Sequence, residues 1–174
     1  LKMSLLPFLE KAQFYILNIP MDVETPDGRY LRPQAMVAEF ITRNWSYPVS
    51  FRMNLADARS SNIEIKESER QRFLGFIESF RSRPRMIITD SQAMDVMTRW
   101  APRDIMLTTF SIIMINYQSR GKLGLFVEGI KALKSLRPKD RVLIVEACNH
   151  SRIGEDIGPV QIPSFLRKAY PDVI

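Results

Sequence analysis

The chain holds one cysteine and one histidine, and they stand two positions apart in EACNH, as Cys148 and His150. A thiolate and an imidazole are the side chains that bind soft and borderline transition metals most readily. They follow an apolar run, and RVLIVEA reads as a buried strand. If extended geometry persists, Glu146, Cys148 and His150 lie on one side of it, an arrangement that suits a metal. Two ligands do not complete a site, because zinc and iron–sulfur centres take about four, and there is no second cysteine to give. A lone cysteine is also an ordinary small core residue, and a lone histidine in a polar segment is ordinarily exposed. On spacing alone both readings stand.

Other polar groups gather by the same logic. In open parallel sheets ligands collect at the carboxyl ends of strands, where loops diverge and helix N-termini offer free N–H groups. RMIITD ends in Asp90 and IMLTT ends in Thr108 and Thr109, so these three are candidates to share an edge with Cys148 and His150. Helix capping alone would explain Asp90 equally well. The patterns G-x-x-x-x-G-K-[ST], G-x-G-x-x-G and G-x-S-x-G do not occur, so no GTP site and no serine-hydrolase site is expected.

The elements that would position these residues alternate along the chain. FYILNIP is a short β-rich run, and the turn signal TPDGR follows it. In PQAMVAEFITRN, Pro33 suits a first helical turn, and Met36, Val37, Phe40 and Ile41 share a helical face. VSFRM is a second strand and ADARSSN a loop. From Lys66 to Arg83 apolar residues recur at helical spacing until Pro84 stops them. RMIITD is a third strand, followed by a helix carrying Ala93, Val96, Met97 and Trp100. The apolar run 105–117 is too long for one strand and divides into a short strand and a helix capped by Thr108 or Thr109. A further helix carries Leu123, Phe126, Val127, Ile130 and Leu133, and Pro163 opens a short terminal one.

Strands that are apolar on consecutive positions and alternate with helices predict an α/β protein with mostly parallel, helix-covered sheets of Rossmann-like type. The polar, proline-bearing stretch FRSRPR suggests a boundary, giving two small modules, residues 1–83 and 84–174. Of 174 residues 45% are apolar and 25% charged, which is ordinary globular composition. A net charge of +6 and the arginines between Arg70 and Arg103 suit an acidic partner, but Glu78, Asp90 and Asp95 lie among them, as on a solvated helix face. A basic α/β module for RNA or another acidic partner is the alternative reading. A single cysteine points to the cytoplasm, and no apolar run is long enough to span a membrane. The first residue is leucine rather than methionine, so a piece of a longer product is expected.

Three strings resemble the C-terminal part of the HydF hydrogenase-maturation GTPases: MIITDSQAMDVM, DIMLTTFSIIMINYQSRGKLGLFVEGIKALKSL and DRVLIVEACNHSRIGEDIGPVQIPSFLRK. ILNIPMDVETPDGRYLRPQ is similar to the dimerisation domain of that family. The resemblance implies that residues 1–83 are that domain and residues 84–174 a truncated cluster-binding and tetramerisation domain. It implies a homodimer or tetramer, with the strand VSFRM pairing across a two-fold axis. It further implies a scaffold for a four-iron iron–sulfur cluster that serves an FeFe hydrogenase together with radical-SAM maturases. The family's cluster motif begins C-x-H, which makes Cys148 a thiolate ligand and His150 a candidate neighbour. The motif closes with H-C-x-x-C, and none of the 24 residues after His150 is cysteine or histidine. The G domain of the family is absent too, so the chain is expected to be no enzyme and its cluster incomplete.

Overall fold

The computed structural model describes residues 4–21, 29–145 and 160–172. The chain divides into two compact units, Leu1–Gly121 and Lys122–Ile174. In the first unit the order is β1 Phe14–Met21, α1 Arg32–Arg43, β2 Tyr47–Asn54, α2 Leu55–Ala58 and α3 Ile63–Glu78. Then come β3 Met86–Thr89, a 3-10 turn Ser91–Ala93, α4 Met94–Trp100, β4 Met106–Thr109 and α5 Phe110–Gln118. The second unit contributes α6 Leu123–Lys134 and α7 Ile162–Ala169.

The four strands among the described residues are parallel and lie in the order β2-β1-β3-β4. Every residue of β3 is buried, which is why its sequence is apolar without alternation. Side chains on one face of the sheet, Ile16, Phe51, Met53 and Ile87, pack with Phe73 and Ile77 of α3 and with Val96, Met97 and Trp100 of α4. On the other face Tyr15, Leu17, Ile19, Met86 and Ile88 pack with Val37 and Ile41 of α1 and with Phe110 and Ile113 of α5. The sheet is therefore doubly wound, as the α/β expectation required.

Three expectations need correction. The division at 83/84 falls inside the sheet, because Tyr15–Asn18 of β1 pair with Met86–Thr89 of β3. Among the described residues the strands form one sheet, not two, and the chain divides between Gly121 and Lys122. The stretch ADARSSN is not all loop: the Asn54 side chain accepts from the Asp57 N–H and caps the single-turn helix α2. Finally, no strand forms at 141–145, where Leu143 and Val145 are exposed. The rest of RVLIVEA lies outside the described residues.

Helix ends follow local chemistry. Asn62 caps α3 by accepting from Glu64 and Ile65, so the helix starts three residues before Lys66. Thr109 caps α5 by accepting from the Ile112 N–H at 3.0 Å, the division of the 105–117 run anticipated above. Among its described residues the second unit buries only Leu166. Its α6 carries Leu125, Phe126, Val127, Ile130 and Leu133 largely exposed.

Candidate functional site

Adjacent strands β1 and β3 send their chains to opposite faces of the sheet, α1 to one and α4 to the other. Loops part at such a point, and in doubly wound sheets it is where ligands bind. β1 runs three residues beyond its last β3 partner, paired there with β2 alone. Pro20 sits in that overhang, where its missing N–H costs no bond to β3.

The polar residues at this edge are buried and mostly committed to one another. Asn18 and Thr89 are both 0% exposed, and the Asn18 amide donates to Thr89 Oγ1 at 2.9 Å. The same amide approaches the Met53 sulfur at 3.7 Å, while Asn18 Oδ1 has no hydrogen-bond partner among the described residues. Gln34 of α1, 1% exposed, accepts from the Leu31 N–H at 2.9 Å and donates to Asp90 Oδ2 at 3.4 Å. Asp90 thus lies against α1, and its side chain makes no capping bond to the turn that follows. Thr108 is half-buried on β4 and Thr109 is spent on its cap.

The structure therefore brings Asp90, Thr108 and Thr109 to one sheet edge. Cys148, His150 and Glu146 lie outside the described residues. Among the described residues no three His, Cys, Asp or Glu side chains are grouped to hold a metal.

Shifted titrations trace ion pairs. Asp95 is held below the usual carboxylate range chiefly by the hydrogen bond from Arg59, and Asp104 by that from Arg83. Arg72 is raised by its hydrogen bond to Glu69. Arg70, Arg72, Arg83, Arg85 and Arg99 each face a carboxylate. Their charge is largely offset locally. Among the described residues no helix is long and apolar enough to cross a membrane.

A second feature, missed in the sequence, lies along β2, whose outer edge is the end of the sheet. Glu69 of α3 is 6% exposed, and its carboxylate accepts from the Asn54 N–H at 2.8 Å and from two nitrogens of Arg72. Arg72 also donates to the Arg52 carbonyl, and its guanidinium lies 4.4 Å from the centre of the Phe51 ring. The signal for the pair was an i,i+3 Glu–Arg spacing on a helix, but Glu67 and Arg70 have the same spacing and are exposed. Trp45 and Tyr47, 77% and 51% exposed, stand where the strand begins.

Two family models match the chain in tandem. Residues 5–119 match the hydrogen maturase F dimerization domain, and residues 124–173 match the hydrogen maturase F tetramerization domain. The gap between them coincides with the division of the structure after Gly121. No curated protein matches the chain. With nearly its whole length covered by these two domains, the chain belongs to the hydrogen maturase F family.

Proposed function

We propose that the chain is the assembly and iron–sulfur scaffold region of a hydrogenase maturation factor, acting by association rather than by turnover. The observation that carries this reading is the tandem match to a dimerization and a tetramerization domain, each filling one structural unit. The first unit joins two copies through the open edge of β2. The second adds a further contact through α6, where Phe126, Ile130 and Leu133 recur at i, i+4 and i+7 and are exposed in the single chain. Such a face gains by covering, and a second copy with the same stripe is a suitable cover.

In this proposal Cys148 is a thiolate ligand to iron and His150 stands beside it as a second ligand, with the remaining ligands supplied from outside these residues. The physical support is the chemistry of the pair, since thiolates are the usual iron–sulfur ligands. Asp90, Thr108 and Thr109 take part at most as polar neighbours, as the bonds of Asp90 and Thr109 are used within the first unit. The factor would work in the cytoplasm with an FeFe hydrogenase and with radical-SAM maturases. GTP hydrolysis forms no part of the proposal, because the sequence carries no phosphate loop.

Anaerobic reconstitution with iron and sulfide tests the scaffold role. One cysteine and one histidine per chain should hold iron substoichiometrically and release it to a chelator, and Cys148→Ser should abolish what binds. A stable cluster that survives Cys148→Ser would remove the residue from the site.

A further inference from the structure

The outer edge of β2 is closed at its carboxyl end by side chains of α3. Along a parallel strand the N–H and C=O of one residue point to the same side, and sides alternate from residue to residue. The Tyr47 N–H donates to the Gln13 carbonyl, so Tyr47, Val49, Phe51 and Met53 bond to β1. Arg52 and Asn54, at alternate positions, therefore face away from the sheet. Their outward groups are the ones that α3 takes: Arg72 donates to the Arg52 carbonyl, and the Glu69 carboxylate accepts from the Asn54 N–H at 2.8 Å. In a further parallel strand a single residue opposite Met53 would make both of these bonds. The ion pair stands in for that residue, with the guanidinium in place of its N–H and the carboxylate in place of its C=O.

The pair is held in place from several sides. Arg72 binds Glu69 through two nitrogens, at 2.8 and 2.7 Å, and its guanidinium lies 4.4 Å from the centre of the Phe51 ring. Glu69 is 6% exposed, so its carboxylate carries a desolvation cost that the partner does little more than offset. Replacing a buried ion pair by apolar residues of similar size is often neutral for stability. Glu67 and Arg70 make the same i,i+3 pair in solvent, without that cost. What Glu69 and Arg72 add is a limit on the edge rather than stability.

We propose that Glu69 and Arg72 are specificity-determining residues for association: they stop strand addition at the Arg52 carbonyl and so limit how much of β2 any other chain can pair with. An uncovered edge strand is a template for extended segments in general, and charged side chains laid over it are a common means of closing it. A parallel neighbour meets both occupied groups through one residue, and an antiparallel neighbour meets them through two. Pairing that continues past Arg52 must first break a bidentate, charge-assisted contact. The outward backbone groups of Ser50 lie before the stop, which therefore limits association without forbidding it.

The full chain carrying Glu69→Leu together with Arg72→Met tests the stop. The exchange removes both charges, keeps apolar bulk against Phe51 and frees the Arg52 carbonyl and the Asn54 N–H. Glu67→Leu with Arg70→Met makes the same change of composition at the exposed pair of the same helix. In sedimentation velocity over a dilution series, the first variant should associate at a concentration about tenfold or more below that needed by the unaltered chain, or form larger species, with unchanged circular dichroism. The second should match the unaltered chain. A first variant that associates no more strongly than the unaltered chain, or a second that gains as much as the first, overturns the stop. If the unaltered chain is a monomer, the reading of the first unit as a dimerization module fails, while a first variant that associates still supports the stop. Hydrogen exchange needs no variant: in the unaltered chain the Asn54 N–H should exchange about tenfold or more slower than an unbonded amide, and exchange at the unbonded rate overturns the proposal too.

Discussion

Phe73→Ala is expected to destabilise the first unit by about 3–5 kcal/mol, the usual cost of emptying a large aromatic site that cannot collapse. Phe73 is 0% exposed on α3, and its ring meets Phe51 of β2 edge-on with centroids 5.3 Å apart. The loss comprises the transfer free energy of the ring, the aromatic contact and the cavity left between helix and sheet. A domain of about a hundred residues has roughly 5–15 kcal/mol in hand, so much of its stability goes with one side chain. Chemical denaturation monitored by far-ultraviolet circular dichroism measures it. A change below about 1 kcal/mol would mean that α3 does not seal this face.

Asn18→Asp is the second large effect, with a pH signature that separates it from ordinary packing loss. Asn18 lies buried between β2 and β3, with the Thr89 hydroxyl as its main polar partner and its own oxygen unpartnered among the described residues. A carboxylate there is desolvated with little compensation, so its folded-state pKa rises by roughly 2–3 units above the unfolded value. For an acid with a raised pKa the native state holds the extra proton. Stability is therefore least affected below the unfolded pKa near 3.9 and declines as pH rises towards the folded value. At about 1.36 kcal/mol per unit the cost at neutral pH is roughly 3–4 kcal/mol. Asn18→Leu removes the orphan oxygen and the charge but leaves the buried Thr89 hydroxyl without its donor, so it should cost about 1–3 kcal/mol and show no such slope. Equal, pH-independent losses for both variants would contradict this account of the site.

What could be read from the sequence was what depends on neighbours along the chain. The continuous apolar stretch Met86–Thr89 announced a buried parallel strand, and Thr109 announced the helix that follows it. The boundary at 83/84 misled because the chain does leave a helix shortly before Pro84, at Glu78 rather than at Arg83, while the reason it continues in the same domain is the pairing of β3 with β1 some seventy residues back. Local composition carries no record of that pairing. The reading of RVLIVEA as a strand failed over 141–145 for a related reason: an apolar run states a need for burial, not the partner that supplies it.

At the candidate site, Asp90 and the threonines were found because strand ends can be located from periodicity. Asn18 was passed over because one amide within FYILNIP looks like a minor blemish in an apolar strand. Its significance appears only when β3 brings Thr89 beside it. Likewise, Glu69 and Arg72 became more than a helical ion pair only once β2 presented the Arg52 carbonyl and Asn54 N–H to them.

Sedimentation velocity of the full chain beside its Ser50→Pro variant tests the central claim, that this is an assembly region whose first unit associates through β2. The Tyr47 N–H donates inward to the Gln13 carbonyl and sides alternate along a parallel strand, so the Ser50 N–H points away from β1. Proline there leaves the intramolecular ladder intact and removes an N–H from the edge proposed to meet the second copy. The account predicts a dimer or tetramer for the unaltered chain at micromolar concentration, and a species of half that mass for Ser50→Pro with unchanged circular dichroism. A monomer in both samples, or an oligomer that Ser50→Pro does not alter, would contradict it.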